Sequence, residues 1–267
     1  MKRSLRDVLL LGSILAATIV VGLGIVIILD RNAPAEANLS PALELERRLG
    51  QLLKDDILRS ERILTNPTLD AALQAIEERL LSSKPELPFP LELVVIDSPE
   101  ANAYAFPAGL VVITSRMLSL ASAAEDIAAV VAHELSHISE RDAFEAAAVS
   151  VGFGTLLAIT SGGTATDIGR NIAKELFELR MSSAREERAD AYAVELLKES
   201  RIHPVRLADM FVRLRKAALG PEPPPYLSSH PETEERIDKV LETASDFTGE
   251  ESLGVDWNKV LADLHAD

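Results

Sequence analysis

Five consecutive residues, His133-Glu134-Leu135-Ser136-His137, constrain this chain more than any other feature. The surrounding Ala, Val, Ile and Leu recur at helical spacing, which predicts a helix running to about Glu140, with Ser122-Ala123-Ala124-Glu125 as the capping box that starts it. On a helix, positions i and i+4 project from the same face. Both imidazoles can therefore reach a single ion at about 2.0 to 2.1 Å, and the pattern predicts one zinc ion per chain. Glu134 falls one residue on, beside the metal and off the ligand pair, where it is the candidate catalytic base for a zinc-activated water and then the proton donor to the leaving amine. The plainer alternative is a pair of buried histidines on a helix with no metal.

A zinc ion that does chemistry needs a third protein ligand and an open position. The chain has no cysteine, so that ligand is His, Asp or Glu. The offsets at which some zinc peptidases carry a Gly and a third His hold Glu140 and Ala143 here, and the spacing thus predicts a carboxylate from another helix. In Arg185-Glu186-Glu187-Arg188-Ala189-Asp190-Ala191, Glu186 and Asp190 stand one turn apart. One can bind zinc while the other receives an N–H from a ligating histidine. Glu187, Glu140 and Glu145 compete on spacing alone, because carboxylates at i,i+4 more often line a solvated helix face.

Val8 to Leu29 is an uncharged run of 22 residues, and a helix of that length spans ~33 Å, close to the hydrocarbon thickness of a bilayer. It predicts one N-terminal transmembrane helix, with residues 1–7 cytoplasmic because Lys2, Arg3 and Arg6 precede it. The rest of the chain is then expected on the periplasmic or extracytoplasmic side of the inner cell membrane. A cleaved signal peptide is the rival, since Ala33-Pro34-Ala35 resembles a cleavage site, but the apolar run exceeds the usual ~7 to 15 residues. Residues 30–38 form a linker, 39–245 the candidate peptidase domain and 246–267 an acidic tail to which the sequence assigns no role.

Within the domain, 39–81 predicts two amphipathic helices broken at Asn66-Pro67. Strands are expected at Leu91–Asp97, Asn102–Phe106 and Leu110–Thr114, with Pro107-Ala108-Gly109 as a turn. The remainder predicts helices at about 146–160, 168–198 and 204–219, and another from Pro231. The fold class is α+β: a mainly helical zincin-type domain with a small sheet. Hydrophobic residues make up 47% of the chain, enough for a real core, and a net charge of -15 argues against a nucleic-acid partner. Oligomeric state is not legible from the sequence.

At these residues the chain resembles the HtpX-like zinc metallopeptidases, which include CAAX prenyl endopeptidases, Oma-type mitochondrial membrane proteases and periplasmic proteases of outer-membrane assembly. Asn102-Ala103-Tyr104-Ala105-Phe106-Pro107-Ala108-Gly109 is similar to the family's N-A-F-A-x-P-G-G. Glu125-Asp126 through His137 resembles its metal helix, Glu186-Glu187-Arg188-Ala189-Asp190 its E-x-x-A-D, and His230-Pro231 through Arg236-Ile237 its H-P-x-x-x-x-R-I. The resemblance implies an α+β zinc endopeptidase with His133, His137 and Glu186 as ligands, Glu134 as base, and Asp190 orienting a ligand histidine. It places His230 at the cleft edge as a catalytic donor to the oxyanion and Arg236 in support of that segment. Asn102, Ala103 and Tyr104 are implied as a substrate-binding strand edge. Protein or peptide substrates follow, specifically misfolded or mislocalised envelope proteins, together with a bilayer partner through the N-terminal helix. A non-catalytic chaperone or assembly factor on the same scaffold is the alternative. The chain departs from the family pattern at Ser182 and Ser183, where Ser-Arg is usual, and Arg185 is the candidate substitute. His203 and His265 match no motif.

Overall fold

The computed structural model describes residues 40–83, 85–152, 154, 156, 165–219, 224–231 and 234–264. The predicted span at 8–29, the linker and His265 lie outside them, and among the described residues no helix is long and apolar enough to cross a membrane. The contacts divide the chain into two units, Met1–Arg48 and Leu49–Asp267. Of the first, the described part is the opening of helix α1 (Pro41–Ser60), where Arg47 and Arg48 grip Glu44 at 2.8 and 2.7 Å and hold its carboxyl at about 2.

In the second unit a four-stranded sheet has the order β1-β2-β4-β3. Strand β1 (Ile63–Leu64) is antiparallel to β2 (Glu92–Ile96), β2 is parallel to β4 (Leu110–Thr114), and β3 (Ala103–Ala105) is antiparallel to β4 with Tyr104 opposite Val112. Every residue of β4 is buried, as a continuous β-branched run requires of a strand covered on both faces. β3 forms the edge. The reversal between β3 and β4 is a single 3-10 turn, Pro107–Gly109, with Ala108 at φ 65° and Gly109 at φ 85°. Gly109 is obligatory there, because a Cβ would stand 2.1 Å from the carbonyl oxygen of Pro90.

Helix α2 (Pro67–Leu81) starts after Asn66, whose side chain accepts from the Thr68 and Leu69 amides, and the break at Asn66-Pro67 is as expected. A short α3 (Ser115–Leu120) is capped by Thr114. Then comes α4 (Ala124–Ser139), the metal-motif helix, buried from Ala124 to Ile138 because its outward faces are covered by α2, β3 and two helices described next. The cap differs from expectation: Asp126, not Glu125, reaches back to the amides of Ser122 and Ala123, at 2.8 and 3.2 Å. Glu125 is used elsewhere. The helix expected at 146–160 begins earlier, as α5 (Asp142–Val151), and ends at Gly152 with φ 79°; most of 153–164 lies outside the described residues.

The single helix expected over 168–198 is two, α6 (Ala165–Phe177) and α7 (Ser183–Glu199). The break is tertiary in origin: Met181 donates its amide to the Ser229 carbonyl at 2.8 Å, and Ser182 caps α7 by accepting from Arg185. Helix α7 lies along α4, with Ala189 and Ala193 fully buried so that the backbones approach closely. Helix α8 (Val205–Ala217) follows Pro204, a four-residue α9 (Tyr226–Ser229) follows Pro225, and α10 (Glu234–Ala244) packs on α7 and α8.

The acidic C-terminal stretch ends in α11 (Trp257–Leu264), which packs on α2 and α3. Glu125 accepts from the Leu253 amide at 2.7 Å and from Ser252 Oγ at 3.1 Å, while Trp257 Nε1 donates to the Ala121 carbonyl at 3.1 Å. This stretch therefore braces the start of the metal-motif helix. Trp257→Phe, which removes that donor and part of the buried ring, is expected to cost about 1–2 kcal/mol. Urea unfolding of the full-length chain reads this as a lower midpoint, and an unchanged midpoint would mean that the brace carries no stability.

Candidate metal centre

His133 and His137 occupy one face of α4 as the motif predicts, and α7, packed along α4, brings Glu186 to them. His133 Nε2 lies 3.4 Å and His137 Nε2 3.6 Å from the Glu186 carboxylate. His230, expected at the edge of the cleft, stands inside the group, with Nδ1 3.0 Å from Glu186 Oε1 and 3.4 Å from His133 Nε2. One ligand-type atom from each of these four buried side chains lies within 4.8 Å of the others. The competitors fall away. Glu140 is exposed, Glu145 pairs with Arg185 at 2.9 Å, and Glu187 faces solvent beside Lys239 at 3.3 Å.

The other ring nitrogen of each α4 histidine meets a carboxylate. His133 Nδ1 is 3.0 Å from Asp190 Oδ1, as the one-turn offset from Glu186 predicts. His137 Nδ1 is 2.8 Å from Asp142 Oδ2, a partner the sequence reading did not single out. Arg141 adopts the left-handed conformation (φ 59°) just past the end of α4 and turns the chain back, which returns Asp142 to the helix it has just left. Both carboxylates stand on the Nδ1 side, which leaves Nε2 of each ring facing Glu186, the orientation of a metal-binding imidazole backed by a carboxylate. Arg185 lies 3.2 Å from Asp142 Oδ1, so a guanidinium does back this side of the centre despite the serines at 182 and 183.

Glu134 is fully buried; its Oε1 is 3.4 Å from the Tyr226 hydroxyl and 3.7 Å from His230 Nε2, and its Oε2 has no hydrogen-bond partner. Nε2 of His137 is equally buried and without one. A buried nitrogen lone pair facing a carboxylate across 3.6 Å is costly unless a cation stands between them. The proton balance points the same way. Burial pulls the His133 ring down, but the carboxylates of Asp190 and Glu186 overcome it and push it up to about 10. Burial would raise Glu186, yet His133 and His230 hold it well below the usual carboxylate range. His137 is lowered by burial and stays a neutral donor. The carboxylates draw positive charge into the cluster, and two imidazoles with one carboxylate are the donor set of a catalytic zinc site.

Arg236 closes the centre from behind. Its Nε and Nη2 donate to Asp190 at 2.6 and 2.8 Å, Nη1 donates to the Pro231 carbonyl and lies 2.9 Å from Glu186 Oε2, and the guanidinium sits 4.9 Å from the Phe211 ring centroid. Arg236→Met leaves Asp190 buried without its ion partner, an expected loss of about 3–5 kcal/mol. Burial raises Asp190, but Arg236 and then His133 bring it below its ordinary 3.8. A depressed folded value means that this stabilisation is complete above the unfolded value and fades as pH falls through the folded one. The gap between parent and variant in urea unfolding should therefore close in acid, and a gap that stays constant with pH would assign the loss to packing.

β3 carries two of the three residues expected to bind substrate. Ala103 and Tyr104 lie on it, while Asn102 precedes it, with its amide and carbonyl both engaged by Thr114. Asn102 Nδ2 is buried without a hydrogen-bond partner. Tyr104 packs edge-on against Phe177, 4.7 Å between centroids. His203 accepts the Val205 amide at Nδ1 and packs on Phe247, a local structural role.

A family model for peptidase family M48 matches residues 67–244, the segment that carries every residue of this centre. The chain belongs to peptidase family M48. Among similar proteins, this M48 chain is 25% identical over 221 residues to the β-barrel assembly-enhancing protease of Escherichia coli, covering 78% of this chain and 45% of that protein. It is 25% identical over 162 residues to the metalloprotease LoiP of the same organism, covering 58% of this chain and 64% of that one. The mitochondrial metalloendopeptidase OMA1 of Arabidopsis thaliana is 27% identical over 157 residues, which cover 58% of this chain and 31% of OMA1. The aligned part is thus less than half the length of the assembly-enhancing relative. The M48 match extends from the start of α2 to the end of α10, so the bracing helix α11 lies beyond it.

Proposed function

We propose that this chain is a zinc-dependent endopeptidase, tethered by Val8–Leu29 to the inner membrane with its peptidase domain on the periplasmic side, that hydrolyses misfolded or mislocalised envelope proteins. The observation that carries the peptidase reading is the buried group of His133, His137, Glu186 and His230, whose ligand-type atoms lie within 4.8 Å of one another, with Glu134 against it, 3.7 Å from His230 Nε2. The envelope reading is supported by the uncharged N-terminal run and by relatives whose names refer to β-barrel assembly.

His133, His137 and Glu186 would hold the zinc. When bound, zinc supplies a Lewis acid for the scissile carbonyl and lowers the pKa of an attacking water. Asp142, hydrogen-bonded to His137 Nδ1, and Asp190, 3.0 Å from His133 Nδ1, would favour the tautomer that offers Nε2 to the metal. Glu134 takes one proton from the water as it adds to the carbonyl and delivers it to the nitrogen as the C–N bond breaks; the second water proton, left on the new carboxyl group, passes to the released amine, giving a carboxylate and an ammonium. His230 is placed to donate to oxygen charge that develops beside Glu134. The outer edge of β3, where Tyr104 and Ala105 are half-buried, is the candidate backbone edge for an extended substrate.

The test uses the full-length chain in detergent. About one zinc per chain is expected by metal analysis, with cleavage of labelled casein that is abolished by a chelator and restored by added zinc. A folded chain that takes up no zinc on reconstitution, or cleavage that is indifferent to chelation, would sink the proposal.

A further inference from the structure

Tyr226 belongs to none of the sequence motifs, yet among the described residues it is the largest fully buried side chain, and its hydroxyl lies 3.4 Å from Glu134 Oε1. It opens α9, whose path is fixed by the Tyr226 amide donating to the Ala101 carbonyl at 3.4 Å and by the His230 amide donating to the Tyr226 carbonyl at 2.8 Å. The ring is stacked on the His230 imidazole, 4.5 Å between centroids at 22°, and its centroid lies 6.5 Å from that of His133. A phenol taken wholly out of water must place its hydroxyl on an acceptor or lose about 1–3 kcal/mol. Among the described residues the acceptor this hydroxyl reaches is Glu134 Oε1, at 3.4 Å.

The two oxygens of Glu134 are thereby made unequal. Oε1 faces a hydroxyl donor, while Oε2 is buried with no hydrogen-bond partner. A carboxylate at the end of a three-torsion side chain would otherwise be free to rotate, and a rotation of that kind misplaces the lone pair that must meet the water. We propose that Tyr226 is a positioning residue for the proton-shuttling carboxylate: its hydroxyl donates to Glu134 Oε1, sets the rotation of the carboxylate plane, and leaves Oε2 as the oxygen that exchanges the proton. This rests on the peptidase reading above. The phenol keeps its proton for the task, because burial and the nearby carboxylates of Glu134 and Glu186 push it well above 10. A contact of 3.4 Å is long for O–H···O, and such contacts tighten when substrate closes the site.

Tyr226→Phe keeps the ring and its stacking and deletes one oxygen. The full-length parent, Tyr226→Phe, Glu134→Gln and the double variant are compared on a quenched fluorogenic peptide chosen from a mixed-sequence library by the parent's own cleavage. Tyr226→Phe should lower kcat roughly 10- to 100-fold, with KM, zinc content and unfolding midpoint close to the parent. In the Glu134→Gln background the same change should add less than about twofold, because the two residues act as a unit. Parental turnover in Tyr226→Phe beside an inactive Glu134→Gln overturns the positioning role and leaves the peptidase reading standing. Loss of zinc or of fold in Tyr226→Phe, or an equal fold-loss in both backgrounds, assigns Tyr226 to structure alone and also overturns it. A parent that does not cleave, or a Glu134→Gln protein as fast as the parent, defeats the peptidase reading itself and the proposal with it.

Discussion

Glu134→Gln should reduce peptide turnover roughly 10²- to 10⁴-fold while zinc content stays at the parental value. The substitution is nearly isosteric, and a glutamine carbonyl oxygen can still accept from Tyr226, so the geometry around Oε1 survives. What is lost is a carboxylate oxygen able to take and return a proton. Glu134 is outside the group of ligand-type atoms formed by His133, His137, Glu186 and His230, so metal retention is expected. Stability is expected to hold or rise slightly, because a fully buried carboxylate with one unpartnered oxygen is replaced by a neutral amide. Metal analysis, fluorogenic peptide cleavage and urea unfolding on one preparation separate these effects. Turnover at the parental rate with zinc in place would remove Glu134 from the chemistry.

Glu186→Ala should weaken zinc binding by more than about 100-fold, enough to empty the site against a moderate chelator. Partners that merely orient a ligand cost 10–100-fold when removed, and a direct ligand costs more. Glu187→Ala is the matched control: Glu187 is one residue away on the same helix, exposed, and paired with Lys239. It should keep parental affinity. The fold should persist in Glu186→Ala, since α7 also buries Ala189, Ala193, Val194, Leu196 and Leu197. Equal zinc loss in both variants, or in neither, would remove the assignment of the third ligand to position 186.

Local pattern carried much of this protein. The helical period around His133, the continuous buried run of β4, the proline-marked start of α2 and the reversal at Pro107–Gly109 are all written in neighbouring residues, and all stand where the sequence places them. The i,i+4 histidines with Glu134 between them are equally local, which is why the metal-motif face of α4 was legible. Spacing pointed to Glu186, with Glu187 as its main competitor, and the likeness to E-x-x-A-D decided for the first.

Tertiary structure decided the rest. Nothing near 178–182 forbids a continuous helix; α7 starts at Ser183 because Met181 is held by Ser229, 48 positions on. Glu125 has the spacing of a cap and serves the C-terminal segment instead, through Leu253. Asp142 reaches His137 only because Arg141 accepts a left-handed turn. Tyr226 and His230 join the centre across separations of 92 and 44 residues, to Glu134 and Glu186. Periodicity reports which face of an element is apolar, and it does so from adjacent residues. Which carboxylate, phenol or imidazole meets a given atom in the buried centre is set by how the elements pack, and that information is spread over the whole chain rather than held in any window of it.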